Sequence, residues 1–190
     1  MLGIKFMKFQ PNIYVLKYQG GKIVKEGLGL SFFYSTLTTS LVAIPISSLE
    51  SPFIFEEITK DFQTITIQGH VTFRITDVKK ISELLNYTLN HSGKGYASDD
   101  PEKLPQRLID IVHVLIKREV GSLNLKQALT STEELTQKIN AAIKTQREVV
   151  LLGIEILGIA ILAILPTKET ARALEAEARE QILKEADDAI

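Results

Sequence analysis

The chain has 190 residues, 45% of them apolar and 24% charged, which suits one globular domain with or without an appended helix and excludes a disordered chain. Its net charge is −1, without the basic excess that a generic nucleic-acid binder needs to displace phosphate counterions. The absence of cysteine excludes disulfides, thiol catalysis, iron–sulfur clusters, cysteine-based zinc sites and S-palmitoylation, so the chain needs no oxidising compartment.

Residues 1–27 carry five lysines (Lys5, Lys8, Lys17, Lys22, Lys25) against Glu26, a local charge of +4. Met1, Leu2, Ile4, Phe6, Met7 and Phe9 interleave with the first of these lysines. Residues 1–11 read as a basic, apolar segment ahead of the compact domain, which is placed at 12–165. Ile13 to Tyr18 has strand character, and Gly20-Gly21 marks a two-residue turn into a returning strand, Lys22 to Glu26.

Leu28 to Leu49 is a run of 22 residues without a charge. Eight serines and threonines and Pro45 make it a poor membrane span and a good series of strands and turns. Leu28 to Tyr34 and Ser40 to Leu49 are the two strands expected there. Another, Phe53 to Thr59, is entered through Ser51-Pro52. Thr64 to Thr76 alternates Thr64, Thr66, Gln68, His70, Thr72 and Arg74 with Ile65, Ile67, Gly69, Val71, Phe73 and Ile75, a strand with one polar and one apolar face.

Asp77 predicts the N-cap of a helix over Val78 to Leu85. Asn90 to Glu102 is polar and glycine-bearing, and reads as a mobile loop. A helix is predicted from Pro105, with Leu108, Ile111, Val112, Leu115 and Val120 near one face. Leu123 to Thr130 is a connector. Ser131 and Glu134 have capping-box spacing ahead of a further helix through Leu135, Ile139, Ala142 or Ile143, and Val149, which Gly153 ends.

Val149 to Leu165 is a second apolar run, 17 residues with Glu155 as its only charge. It is short for a membrane span, and a charge near a bilayer centre costs about 3 kcal/mol. Ile154 to Leu165 therefore reads as an interior sheet strand, apolar on both faces and broken by Pro166. Strands, then helices, then one more strand and a helix form an α+β pattern. An antiparallel-rich sheet (lobe one, about 12–76) precedes a helical second lobe closed by a strand (about 77–165).

Segment 166–190 is rich in alanine and glutamate, and Thr167 can cap a last helix there that runs from Lys168 to the terminus. Ala171, Leu174, Ala178, Ile182, Ala186 and Ala189 form a narrow stripe of mostly small residues with charged flanks, the form of a helix–helix seam. The mean spacing of about 3.6 residues gives at most a weak supercoil. The pattern is still running at Ile190, so a longer natural helix is expected, the start of a coiled coil. Ala171, Leu174, Ala178, Ile182 and Ala186 are the oligomerisation candidates.

The search for chemistry is mostly empty. His70, His91 and His113 share no metal-ligand spacing. Ser92-Gly93-Lys94-Gly95 lacks the first glycine and the final Ser/Thr of a phosphate loop. Glu56 and Glu57 point to opposite faces of a strand and cannot share a site. No enzymatic activity, metal or cofactor is expected. Lys5, Phe6, Lys8, Phe9, Leu28, Leu30, Phe32, Phe33 and Tyr34 combine basic and apolar character suited to an anionic membrane surface, and are the membrane-contact candidates.

Three segments carry a family pattern. Gly21 to Tyr34, with Gly27 and Gly29, is similar to an opening hairpin with a glycine-containing turn. Thr59, Asp61 and Gln63 lead into the long strand that ends Phe73-Arg74-Ile75-Thr76-Asp77, like "T-x-D-x-Q" followed by "Y-R-[IV]-x-D". Leu152-Gly153-Ile154-Glu155-Ile156 is similar to "[WY]-G-[IV]-x-[IV]". With Pro166 and the helix after it, their order resembles the SPFH (band 7) domain of stomatins, prohibitins and flotillins over roughly residues 12–190. The resemblance implies a two-lobed, non-enzymatic domain feeding a coiled coil. It further implies homo-oligomers on the cytoplasmic side of a membrane that organise lipid microdomains, with lipids and a client membrane protein or protease as partners. The alternative is a soluble adaptor that regulates a protease or other client without touching lipid.

Overall fold

The structure, a computed structural model, describes residues 3–188. Met1 and Leu2, expected among the N-terminal apolar residues, and Ala189 and Ile190, at the end of the last helical stripe, lie outside the described residues.

The first strands form two small antiparallel units. Strand β1 (Ile4–Lys8) pairs with β4 (Ser31–Ser35), with Phe6 opposite Phe33. Strands β2 (Ile13–Gln19), β3 (Lys22–Leu28) and β5 (Thr39–Pro45) form a sheet in the order β3-β2-β5. Gly20 and Gly21 both have left-handed φ, 56° and 75°, the backbone that a tight two-residue hairpin needs and that side chains resist. The run Leu28 to Tyr34 is not one strand. It turns at Gly29, so that Leu28 ends β3 and Tyr34 belongs to β4. Ser40 to Leu49 divides likewise: β5 stops at Pro45 and Leu49 opens β6.

A second sheet, in the order β6-β7-β8, joins β6 (Leu49–Ile58), β7 (Thr64–Ile75) and β8 (Ile154–Pro166). Thus β6 and β7, which precede the helices in sequence, share their sheet with the strand that follows them. The inward residues of β7, among them Ile65, Ile67, Val71 and Phe73, are fully buried, while the alternate residues from Thr64 to Arg74 face outward. Pro52 lies within β6 rather than ahead of it, which an edge strand tolerates.

The expectation of an interior β8 is corrected: β8 is an edge strand. The register of β8 against β7 skips at Leu157 and Leu162, and these two bulge residues are 46% and 68% exposed. At Ile159, the Asn140 side chain accepts from the backbone N–H at 2.8 Å and donates to the backbone carbonyl at 2.7 Å. This amide occupies the site on the strand edge where another strand would pair.

Helices cover one face of this sheet. Helix α1 (Val78–Leu84) is capped by Asp77, whose carboxylate accepts from the Lys80 N–H at 3.0 Å. Helix α2 (Asp100–Val120) begins ahead of Pro105, because Pro101 already suits the first turn. The predicted connector contains α3 (Leu125–Thr130), and the capping box belongs to it. Asn124 and Gln127 exchange side-chain bonds with each other's backbone, whereas the Ser131 hydroxyl donates to the Ala128 carbonyl at 3.0 Å. Helices α4 (Thr132–Ile143) and α5 (Arg147–Leu151) replace the single predicted helix. Ile143 and Val149 are both buried but six residues apart, out of helical phase, so the chain breaks to bring both inward. Helix α6 (Lys168–Asp188) leaves the end of β8, its first turn bound by the Thr167 hydroxyl accepting from the Thr170 N–H at 3.3 Å.

The Thr59-Asp61-Gln63 pattern has a structural role. The buried Thr59 hydroxyl donates to the Asp61 carboxylate at 2.6 Å, and the same carboxylate oxygen accepts from the Leu125 N–H at 3.0 Å. The β6–β7 turn is thereby tied to the start of α3. The Thr59 hydrogen bond holds the Asp61 carboxyl below its ordinary value. A carboxyl lowered on folding contributes stability above its unfolded pKa and loses it as pH falls through the folded value. Asp61→Ala is therefore expected to lower the melting temperature at neutral pH. The difference from the parent should shrink as melts are taken below the ordinary aspartate range. A pH-independent difference would show that the ionised carboxylate is not what matters.

Candidate membrane-facing surface

One continuous core runs from Leu16, Val42 and Ile44 through the β6-β7-β8 sheet to the helices. A smaller cluster, Val15, Phe32, Tyr34 and Leu41, lies beneath the β1–β4 ribbon. The ribbon alternates. Met7, Phe9, Phe32 and Tyr34 turn toward this small core, and Ile4, Phe6 and Phe33 turn away from it.

This alternation sorts the sequence candidates. Phe32 and Tyr34 are 9% and 7% exposed, so they are corrected from surface contacts to core residues. Lys17 and Lys25 place their ammonium groups 4.9 and 5.7 Å from the Phe32 ring centre, closing the core edge with cation–π contacts. Phe9 and Leu30 are half-buried against the same cluster. Phe6 and Phe33 are 57% and 69% exposed, with ring centres 4.9 Å apart. Leu28, at the end of β3, is 49% exposed.

Two exposed residues outside the candidate set extend the patch. Ile4 is 66% exposed on the ribbon, and Leu37, at the turn after β4, is 80% exposed. Leu37 was findable as a lone apolar residue within Ser35-Thr36-Leu37-Thr38-Thr39, a segment otherwise built for a turn. The ribbon end is braced, since the Thr36 N–H donates to the Gly3 carbonyl at 2.8 Å. Lys8 is exposed on the ribbon, and Lys5 is exposed with its ammonium donating to the His91 carbonyl at 2.9 Å. The surface is thus a stiff two-stranded ribbon with Ile4, Phe6 and Phe33 outward, Lys8 on the same face, Lys5 on the opposite one, and Leu37 exposed at the adjoining turn.

The loop after α1 is more ordered than its composition suggests. Leu89 and Tyr96 form a bridge, the Asn90 side chain accepts from the Gly93 N–H at 3.0 Å, and the Tyr96 hydroxyl donates to the Ala43 carbonyl at 2.9 Å. Burial raises the pKa of the Tyr96 and Tyr87 hydroxyls, which keeps the Tyr96 hydroxyl a neutral donor.

The α6 candidates divide as well. Ala171 and Leu174 are half-buried, and Leu174 packs against the main core. Lys126 on α3 pairs with Glu177 at 2.9 Å, holding the first turns of α6 to the domain. Ala178, Ile182 and Ala186 are exposed. Among the described residues, no helix is long and apolar enough to cross a membrane, and no group of three His, Asp or Glu side chains could hold a metal.

The profile of the SPFH domain / Band 7 family matches residues 8–189, and the chain belongs to that family. The antiparallel strands, the helical layer and the C-terminal helix form the α+β architecture expected from the resemblance. No curated protein shows significant similarity to the chain.

Proposed function

We propose that the protein is a non-enzymatic, membrane-associated scaffold that binds an anionic lipid surface through the outer face of the β1–β4 ribbon and assembles with copies of itself. The observation that carries this reading is the outward group Ile4, Phe6 and Phe33, presented on a braced ribbon with Lys8 on the same face and Leu37 exposed at the adjoining turn. Apolar side chains entering the interface supply adhesion, and each lysine near an anionic surface adds about 1 kcal/mol. Family membership supports the same reading. Ala178, Ile182 and Ala186 on α6 remain available for contacts between helices.

Flotation with vesicles containing anionic lipid tests it. Phe6→Ser and Phe33→Ser should each lower partitioning on the order of tenfold. Binding should also weaken as salt rises. Unchanged flotation of the double variant would remove the ribbon from the membrane contact and favour a soluble adaptor.

A further inference from the structure

Among the described residues, the second sheet is covered on one side only. Every helix that packs against β6 or β8 lies on the face of the buried residues. The other face carries Ile54, Ile58, Leu162 and Leu165, which are 68%, 58%, 68% and 46% exposed, around a central row that includes Thr66, Gln68, His70 and Thr72. On the opposite side of the lobe, α1, α2 and α5 border a groove of about 600 Å³. Leu84, Val114 and Leu151 line it and are 53%, 68% and 51% exposed.

We infer that the open face of the β6-β7-β8 sheet seats the α1–α2–α5 groove of a second copy of this chain. This inference rests on the assembly half of the proposed function. Three observations select the occupant. First, sheet face and groove are on opposite sides of one two-layer lobe. The contact can therefore repeat from copy to copy without reversing the molecule, and every ribbon can keep the same side. Contacts between unlike patches of this kind close into rings when the rotation permits.

Second, the charges complement each other. Glu56 and Lys60 flank Ile58 and are exposed, while the groove is bordered by Arg107, Glu148 and Asp110, whose carboxylate accepts from the Gln106 amide at 2.8 Å. Among the described residues, none of these five makes an ion pair, so Glu56 can meet Arg107 and Lys60 can meet Glu148. Third, the competing modes are disfavoured. The Asn140 amide and the two bulges disrupt strand addition along β8, and the polar central row is unsuited to lipid.

Three strands about 4.8 Å apart and roughly 36 Å long project an area on the order of 500 Å². A standard interface takes about 800 Å² of accessible surface from each partner. A single contact is accordingly weak, and the assembly depends on the surface concentration that membrane binding provides.

The parent chain contains no cysteine, so introduced cysteines report without background. Gln68→Cys marks the sheet face and Val114→Cys marks the groove. Equal amounts of the two variants are oxidised on anionic vesicles, and the parent assembly is sized there by chemical cross-linking. Mixed dimers should outnumber like-with-like dimers by about tenfold. In addition, Ile54→Glu with Leu162→Glu should abolish the higher-order parent bands while circular dichroism and vesicle binding stay unchanged.

Predominant Gln68→Cys self-dimers would replace the head-to-tail contact with a two-fold one and overturn the inference. A parent that assembles and whose bands survive Ile54→Glu with Leu162→Glu would overturn it while leaving the assembly reading intact. Cross-links obtained only with Ala178→Cys would place assembly on α6 and overturn it too. A parent that stays monomeric on vesicles overturns both.

Discussion

Replacing Gly69 with alanine should destabilise the domain by about 3 kcal/mol or more, a large share of the roughly 5–15 kcal/mol that holds a typical domain together. Gly69 sits in the middle of β7, opposite Phe53 on one side and Ile161 on the other. A methyl group there would run into the carbonyl oxygen of Ala160 and the ring of Phe53. Neither can withdraw easily. The carbonyl belongs to the paired β8 backbone, and Phe53 is 4% exposed and stacked on Phe55 with ring centres 4.7 Å apart. The backbone of β7 cannot shift either, because it is paired on both edges. For a domain of this size the loss corresponds to a fall in melting temperature of about 10 °C. An unchanged melting temperature would mean that β8 moves freely at Ala160, which its pairing argues against.

His113→Ala should be the second large effect, costing roughly 2 kcal/mol. Glu57 is 6% exposed, and the His113 Nε2–H donates to its carboxylate at 2.5 Å. The imidazole is also stacked on Phe55, with ring centres 4.2 Å apart and planes inclined by 6°. Removing the imidazole leaves a buried carboxylate with no hydrogen-bond donor, the costly half of breaking such a pair. Glu57→Gln in the His113→Ala background should recover much of the loss, since a neutral amide is less costly to bury unpaired. Urea unfolding of the parent, both single variants and the double variant gives the coupling directly. A coupling near zero would mean that His113 acts only through its stacking on Phe55.

The elements whose residues alternate against a local partner were legible in the sequence. Thr64 to Thr76 shows β7 and its inward face, and Gly20-Gly21 marks the β2–β3 hairpin. The capping box was misplaced because a serine just ahead of one helix is also the residue that closes the helix before it; Ser131 spends its hydroxyl on α3. Strand β1 was missed because Ile4 to Lys8 becomes a strand only against β4, more than twenty residues later in the chain. Composition does not reveal which parity faces inward, so Phe32, Phe33 and Tyr34 read alike in the sequence. Burial of Phe32 and Tyr34 fixes that parity and leaves Phe33 outside.

Strand β8 departs from its sequence pattern for a different reason. A strand apolar on both faces ordinarily lies in a sheet interior, covered on both sides. Ile154 to Pro166 meets that description, yet Leu157, Leu162 and Leu165 are exposed at a sheet edge. The apolar pattern of a strand does not say whether it is covered on one side or on both.

The Asn140 amide at the edge of β8 has a consequence for a protein gathered densely on a surface. Two-dimensional confinement raises local concentration as effectively for wrong contacts as for right ones. A bare strand edge under those conditions is a seed for cross-β growth. By occupying the N–H and the carbonyl of Ile159, a single side chain withdraws the middle of that edge from the polymerisation reaction. The molecule can then be crowded without its exposed strand becoming a template.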